Sequence, residues 1–215
     1  MPVDVKICGL KTPEAVQAAI DGGAFMVGFV FFAKSPRCLT PALAGELGRL
    51  VPQGIARVGL VVDATDDAIA RILAEAPLDL LQLHGHETPA RVAEIRSRFN
   101  RPVMKAISIA DAADIAAARD YEPVADRLLF DAKPPKAMKD ALPGGNALAF
   151  DWTLLRGRSF QRPWMLAGGL HLGNLAEAVR LTGAAAVDIS SGVEDRPGEK
   201  NINKIKEFMS LAHSL

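Results

Sequence analysis

Short apolar runs recur along the chain, and most are followed by a stretch in which apolar residues return every three or four positions. The first run covers residues 3–8. Thr12-Pro13-Glu14 follows it, and a capping hydroxyl, a proline and an acid in that order predict a helix through residue 20. The same alternation continues. Runs at 25–31, 57–62, 80–83, 103–107, 128–130, 164–167 and 186–189 predict seven more strands. Helical patterns follow at Thr40-Pro41 to about 50, then at 66–75, 89–99, 111–119, 174–181 and 202–212, with a short one near 150–155 after the sixth run.

Runs this short and this apolar read as strands buried on both faces, and their alternation with helices implies parallel pairing. Eight such units in one chain predict a closed single-domain (β/α)8 TIM barrel spanning residues 1–215. An open doubly wound sheet uses the same alternation. Gly144-Gly145 and Gly168-Gly169 lack the spacing of a dinucleotide fingerprint, however, and the count of eight favours closure.

Composition narrows the function classes. Lys and Arg number 25 and Asp and Glu 25, so no basic surface is expected and nucleic acid is a poor partner. Cys8 and Cys38 are the two cysteines, too few for a disulfide framework and suited to a reducing, cytoplasmic setting. The N-terminal MPVDVK has no basic segment leading into an apolar run, and no run approaches a membrane span, so no membrane partner is expected.

In a barrel of this kind the chemistry gathers where strands end and βα loops begin. That rule selects Lys6 and Cys8 on the first strand, Ser35 and Arg37 after the second, and Asp63 after the third. It goes on to Gln82 and His84, Lys105, Asp131 and Lys133, the Gly168-Gly169 pair, and Asp188 with Ser190 and Ser191. Each has a plainer reading. Cys8 can be a small core hydrophobe, Asp131 a cap or a partner for Lys133, Arg37 a solvated loop residue and His84 a satisfied polar group. His86 and His171 also follow strand ends, but no cluster has zinc-site spacing, so no metal is expected.

With these residues assembled, the chain closely resembles the phosphoribosylanthranilate isomerases of tryptophan biosynthesis. The resemblance runs the full length: KICGL at 6–10, SPR at 35–37, LQLHG at 81–85, LLFDAK at 128–133, PGG at 143–145, FDW at 150–152, LAGGL at 166–170, AVDISSGVE at 186–194 and PGEKN at 197–201. It implies a cofactor-free Amadori rearrangement of N-(5-phosphoribosyl)anthranilate, with Cys8 as general base and Asp131 as general acid. The chain departs from the family pattern at Asn146-Ala147, where a threonine and a glycine are expected, and at Asn201, where an acid is common.

The chemistry wants an acid and a base on different sides of the sugar, and the first and sixth strands lie obliquely across the mouth. Phosphate suits the backbone around Gly168, Gly169, Ser190, Ser191 and Gly192, with Gly145 added from the PGG stretch. Arg37 suits the aromatic carboxylate. Gln82, His84 and Asp188 complete the expected substrate contacts. For Asp131 to hold a proton its pKa must rise, while Cys8 needs cations such as Lys6 or Arg37 to act as a thiolate. The expected partner is this phosphosugar–anthranilate substrate alone, bound by a monomer. An indole-glycerol-phosphate synthase, a metal-dependent pentose-phosphate epimerase and a non-catalytic metabolite sensor are the competing readings; the first would want Lys and Glu pairs and the last has no use for an acid–base pair.

Overall fold

The computed structural model describes residues 2–134, 142, 144–146 and 148–215; Pro143 and Ala147, both named above, lie outside them. The strands β1 (Asp4–Cys8), β2 (Met26–Val30), β3 (Ala56–Val61), β4 (Leu80–Leu83), β5 (Val103–Ile109), β6 (Arg127–Ala132), β7 (Trp164–Leu166) and β8 (Ala186–Ile189) form one closed barrel. Every neighbouring pair is parallel, and β8 returns to β1 with Asp188 opposite Lys6, which excludes the open sheet.

The helices begin where their capping residues dictate. Thr12, Thr40, Thr65 and Thr88 each accept a backbone N–H at the start of α1 (Pro13–Asp21), α2 (Pro41–Arg49), α3 (Asp66–Glu75) and α4 (Pro89–Phe99). Such a cap contributes about 1 kcal/mol, and proline stands in the first turn of three of them, where its missing N–H costs nothing. Later units are less regular. α5 (Ala112–Ala117) has only 6 residues, and the crossover after β6 ends in a 3₁₀ turn, Trp152–Leu155, rather than an α-helix. On that side Phe130, Phe160 and Trp164 pack ring on ring, with centroids 4.7–5.9 Å apart. α6 (Leu175–Thr182) and α7 (Ile202–Ser214) complete the outer ring.

Strand alternation divides the buried residues. Val5, Ile7, Val27, Phe29, Leu81 and Leu83 face the helices, each contributing about 1.5–3 kcal/mol when fully buried. Met26, Val58, Leu80, Met104, Leu129 and Met165 face inward and plug the barrel from below. The same alternation turns Lys6 and Cys8 inward, above that plug. One element had no counterpart in the sequence expectation: β9 (Glu194–Arg196) and β10 (Glu199–Lys200) form an antiparallel hairpin after β8. Its turn residue Gly198, at φ +85°, lies so close to the β2–α2 loop that a Cβ there would meet the Pro36 carbonyl at 2.6 Å.

Candidate active site

One cavity opens at the C-terminal ends of the strands, with a volume of about 760 Å³ including its open mouth. Cys8 and Asp131 both line it, Cys8 from β1 and Asp131 from β6. The Cys8 thiol is 4% exposed. Below it the Lys6 ammonium, fully buried, donates to Asp188 Oδ1 at 2.9 Å. Gly28 on β2 makes room for both groups, since a Cβ there would stand 3.0 Å from Cys8 Sγ and 3.1 Å from Lys6 Nζ.

The electrostatics follow from this stacking. Burial pushes the Cys8 thiol above its ordinary value; Lys6 pulls it down, but Asp188 opposes Lys6. Burial also works against the Lys6 ammonium, yet the attraction of Asp188 and of Cys8 outweighs it and leaves the lysine raised. The protein's own groups therefore favour a protonated thiol beside a fixed cation.

Asp131 is neither a helix cap nor a partner of Lys133, which instead pairs with Asp114 at 2.9 Å. Its Oδ1 accepts the Ala132 N–H at 2.8 Å and its Oδ2 lies 3.2 Å from His84 Nε2. His84 Nδ1 in turn lies 2.9 Å from Gln82 Nε2. Gln82, expected as a substrate contact, is wholly buried and outside the cavity wall, with its amide against His84. The Gly144 backbone covers the pair closely; a Cβ there would meet Asp131 Oδ2 at 2.6 Å and His84 Nε2 at 2.7 Å.

Arg37 is not a solvated loop residue. It is 4% exposed, and its Nε and Nη2 donate to Glu194 at 2.8 and 2.7 Å. Gly145, expected with the phosphate residues, lies against this guanidinium: its carbonyl accepts from Nη2 at 3.4 Å, and a Cβ on it would meet Nη1 at 2.6 Å. Arg37 lines the cavity, and among the described residues its Nη1 has no hydrogen-bond partner, since the guanidinium's recorded bonds are made by Nε and Nη2.

Opposite Arg37, Gly168 and Gly169 turn through positive φ, +85° and +62°. A Cβ on Gly168 would meet the Ala132 N–H nitrogen at 2.7 Å, so the glycine is required there. Among the described residues, no acceptor takes the Gly169 or Ser191 N–H. Ser190 Oγ donates to the Cys8 carbonyl at 3.1 Å. Gly192 is outside the cavity wall: a Cβ on it would sit 2.0 Å from the Leu170 carbonyl, so it lets the loops after β7 and β8 touch.

Sequence reasoning missed an apolar wall. Val30, Leu60, Phe32 and Val62 pack with Cys8 on the β1–β3 side of the cavity. The residues stood in view as strand ends, but nothing in the alternation said which of them would face a ligand. It missed Glu194 and Lys200 as well, although both sit in the quoted AVDISSGVE and PGEKN stretches.

Residues 5–210 match the family described as N-(5'phosphoribosyl)anthranilate (PRA) isomerase. The chain belongs to that family. The N-(5'-phosphoribosyl)anthranilate isomerase of Rhodospirillum centenum is 58% identical over 215 residues, covering 100% of both chains. That of Paracoccus denitrificans is 57% identical over 213 residues, 99% of this chain and 98% of the other. The crystal structure of the Thermotoga maritima phosphoribosyl anthranilate isomerase has a TM-score of 0.86 at 34% identity, covering 99% of this chain and 100% of that one. A further isomerase of the family, in complex with reduced 1-(o-carboxyphenylamino)-1-deoxyribulose 5-phosphate, has a TM-score of 0.84 at 32% identity over 99% of this chain and 100% of that one. Membership of the phosphoribosylanthranilate isomerases makes the chain an enzyme of tryptophan biosynthesis. Among the described residues, no group of three or more His, Cys, Asp or Glu could hold a metal ion, and no helix is long and apolar enough to cross a membrane.

Proposed function

We propose that the chain rearranges N-(5'-phosphoribosyl)anthranilate to 1-(2-carboxyphenylamino)-1-deoxyribulose 5-phosphate with Cys8 as base and Asp131 as acid. What carries this reading is one observation: the thiol and the carboxyl line the same cavity from different walls. A proton passes to the furanose ring oxygen, the C1–O bond opens, and the anilino nitrogen becomes an iminium. Removal of the C2 proton then gives an enaminol, which tautomerises to the ketone. One proton enters and one leaves, and no cofactor is consumed.

Asp131 delivers the first proton from Oδ2, the oxygen not taken by the Ala132 N–H, which must exchange its contact with His84 Nε2 for the substrate. Cys8 takes the second, as thiolate. Burial opposes that state, Lys6 favours it, and the iminium charge arising beside the sulfur adds to the pull of Lys6. The aromatic ring lies against Val30, Phe32, Leu60 and Val62, with its carboxylate toward Arg37 Nη1. Gly168, Gly169, Ser190 and Ser191 hold the phosphate, and Asp188 keeps Lys6 in place.

We infer that the enzyme acts as a monomer in the cytoplasm, as one catalytic domain over residues 1–215; sedimentation would test the monomer. Activity has a direct assay. Anthranilate fluorescence of the substrate should disappear on addition of the protein and persist with Cys8→Ser, where a hydroxyl cannot form the anion. Turnover by Cys8→Ser at the wild-type rate would remove Cys8 from the mechanism.

A further inference from the structure

The hairpin β9–β10 places one carboxylate between the two ends of the site. Glu194 Oε1 accepts from Arg37 Nε at 2.8 Å and from Lys200 Nζ at 2.6 Å, while Oε2 accepts from Arg37 Nη2 at 2.7 Å. Lys200 Nζ also donates to the Ser190 carbonyl at 3.0 Å and to its Oγ at 3.2 Å. That Oγ is the one bonded to the Cys8 carbonyl. A continuous chain of hydrogen bonds therefore runs from Arg37 through Glu194, Lys200 and Ser190 to the strand bearing the thiol.

Burial makes this chain unlike a surface ion pair. The side chains of Arg37, Glu194 and Lys200 are 5%, 4% and 2% exposed. Two cations face one anion, so the cluster holds an excess positive charge in a nearly dry place. Burial pushes the Lys200 ammonium below its ordinary value, in spite of Glu194. Glu194 itself is lowered, because Arg37 and Lys200 outweigh its own burial. A structural staple needs only matched charges, and an uncompensated buried cation costs stability. The excess is useful where an anionic ligand completes the balance.

We propose that Glu194 is the positioning residue for both anchors: it fixes the Arg37 fork so that Nη1 meets the aromatic carboxylate, and through Lys200 it sets Ser190 at the phosphate loop. The proposal rests on the functional reading above. It gives Arg37 a narrower task than a free two-pronged clamp, because the Nε–Nη2 edge is already taken by Glu194. It also makes Lys200 a second-rank support, with no donor left over for substrate once Ser190 and Glu194 are served.

The test uses two inhibitors that each carry one end of the substrate: ribose 5-phosphate and anthranilate. In the full-length enzyme, Glu194→Gln should raise the inhibition constants of both by about 10- to 100-fold, the loss expected of misaligned charge-assisted hydrogen bonds. KM should rise with them, and kcat should change far less. Lys200→Met should raise the ribose 5-phosphate constant alone, and Arg37→Ala the anthranilate constant alone. If Glu194→Gln folds and moves only one constant, or neither, the shared-support proposal is wrong and the cluster is a staple. If Glu194→Gln does not fold, the double variant Glu194→Gln/Lys200→Met, which removes one charge of each sign, takes its place. Both constants must again rise, and wild-type values overturn the proposal. Absence of turnover by the wild-type protein would instead sink the functional reading, which keeps the two failures apart.

Discussion

Lys6 and Asp188 stand opposite each other where β1 meets β8, and their side chains join at 2.9 Å beneath the Cys8 thiol. The pair is both the seam of the barrel and the counter-charge of the base. Lys6→Met should leave Asp188 buried without a partner and cost about 3–5 kcal/mol of stability. Lys6→Met/Asp188→Asn should recover much of the melting temperature and still turn over slowly, because the thiolate has lost its cation. Wild-type kcat/KM in the double variant would show that Lys6 only closes the ring. The Lys6 contribution has a pH window too. With its folded pKa raised above 10.5, it is fully present below 10.5 and lost as pH climbs through the raised value, so neutral-pH assays see all of it.

The thiol carries a linkage of its own. Cys8 keeps its proton to higher pH folded than unfolded, where the ordinary value is 9.0. Above 9.0 the unfolded chain releases a proton that the folded chain retains, so stability should fall with rising pH until the raised value is passed. Cys38 shifts in the same direction, which makes Cys38→Ala the proper background. In that background, urea midpoints measured from pH 8 to 10.5 should slope downward, and Cys8→Ser should flatten the slope. An unchanged slope would mean that Cys8 does not titrate as its burial requires.

Asp131→Asn keeps the shape of the acid and removes its transferable proton. General acid catalysis contributes about 10²–10⁴-fold, so kcat should fall by that order with KM roughly kept. Poor binding with normal single-turnover chemistry would make Asp131 an anchor and send the search for the proton to His84, its neighbour at 3.2 Å.

Gly144 offers a test by addition. Alanine there would push a methyl group to within 2.6 Å of Asp131 Oδ2 and 2.7 Å of His84 Nε2. Real side chains do not approach that closely, so the loop or the acid must move. Gly144→Ala should lower kcat by at least about 10-fold, roughly 1.4 kcal/mol of barrel-mouth misalignment, with little change in melting temperature. Full activity would show that the loop rides freely over the acid.

What could be read from the sequence follows a physical line. β1 to β8 were legible because a strand buried on both faces must be apolar nearly throughout, and Thr12 and Thr40 marked the starts of α1 and α2. The strand-end rule also selected Lys6, Cys8 and Asp188 for the mouth of the barrel. Partners were harder. Arg37 and Glu194 are 157 residues apart, and only the closed ring and the hairpin bring them together. The hairpin hid because EDRPGEK has the composition of a loop; its pairing is made by backbone groups. For Gln82, a place near the end of the fourth strand was legible, but its depth below the mouth was not.

The threonine caps have a consequence for the order in which the molecule assembles. α1 to α4 carry their own starting signals within a few residues, while Lys6 must wait for Asp188, which lies 182 residues further along. Until the last strand arrives, the β1 ammonium can stay hydrated, and its dehydration is deferred to the moment when an opposite charge comes to meet it. The chain's early units thus organise locally, and the costliest burial is left to the step that shuts the ring. Pulsed hydrogen exchange during refolding should find amides of α1–α4 protected before those of β1 and β8, and simultaneous protection would contradict that order.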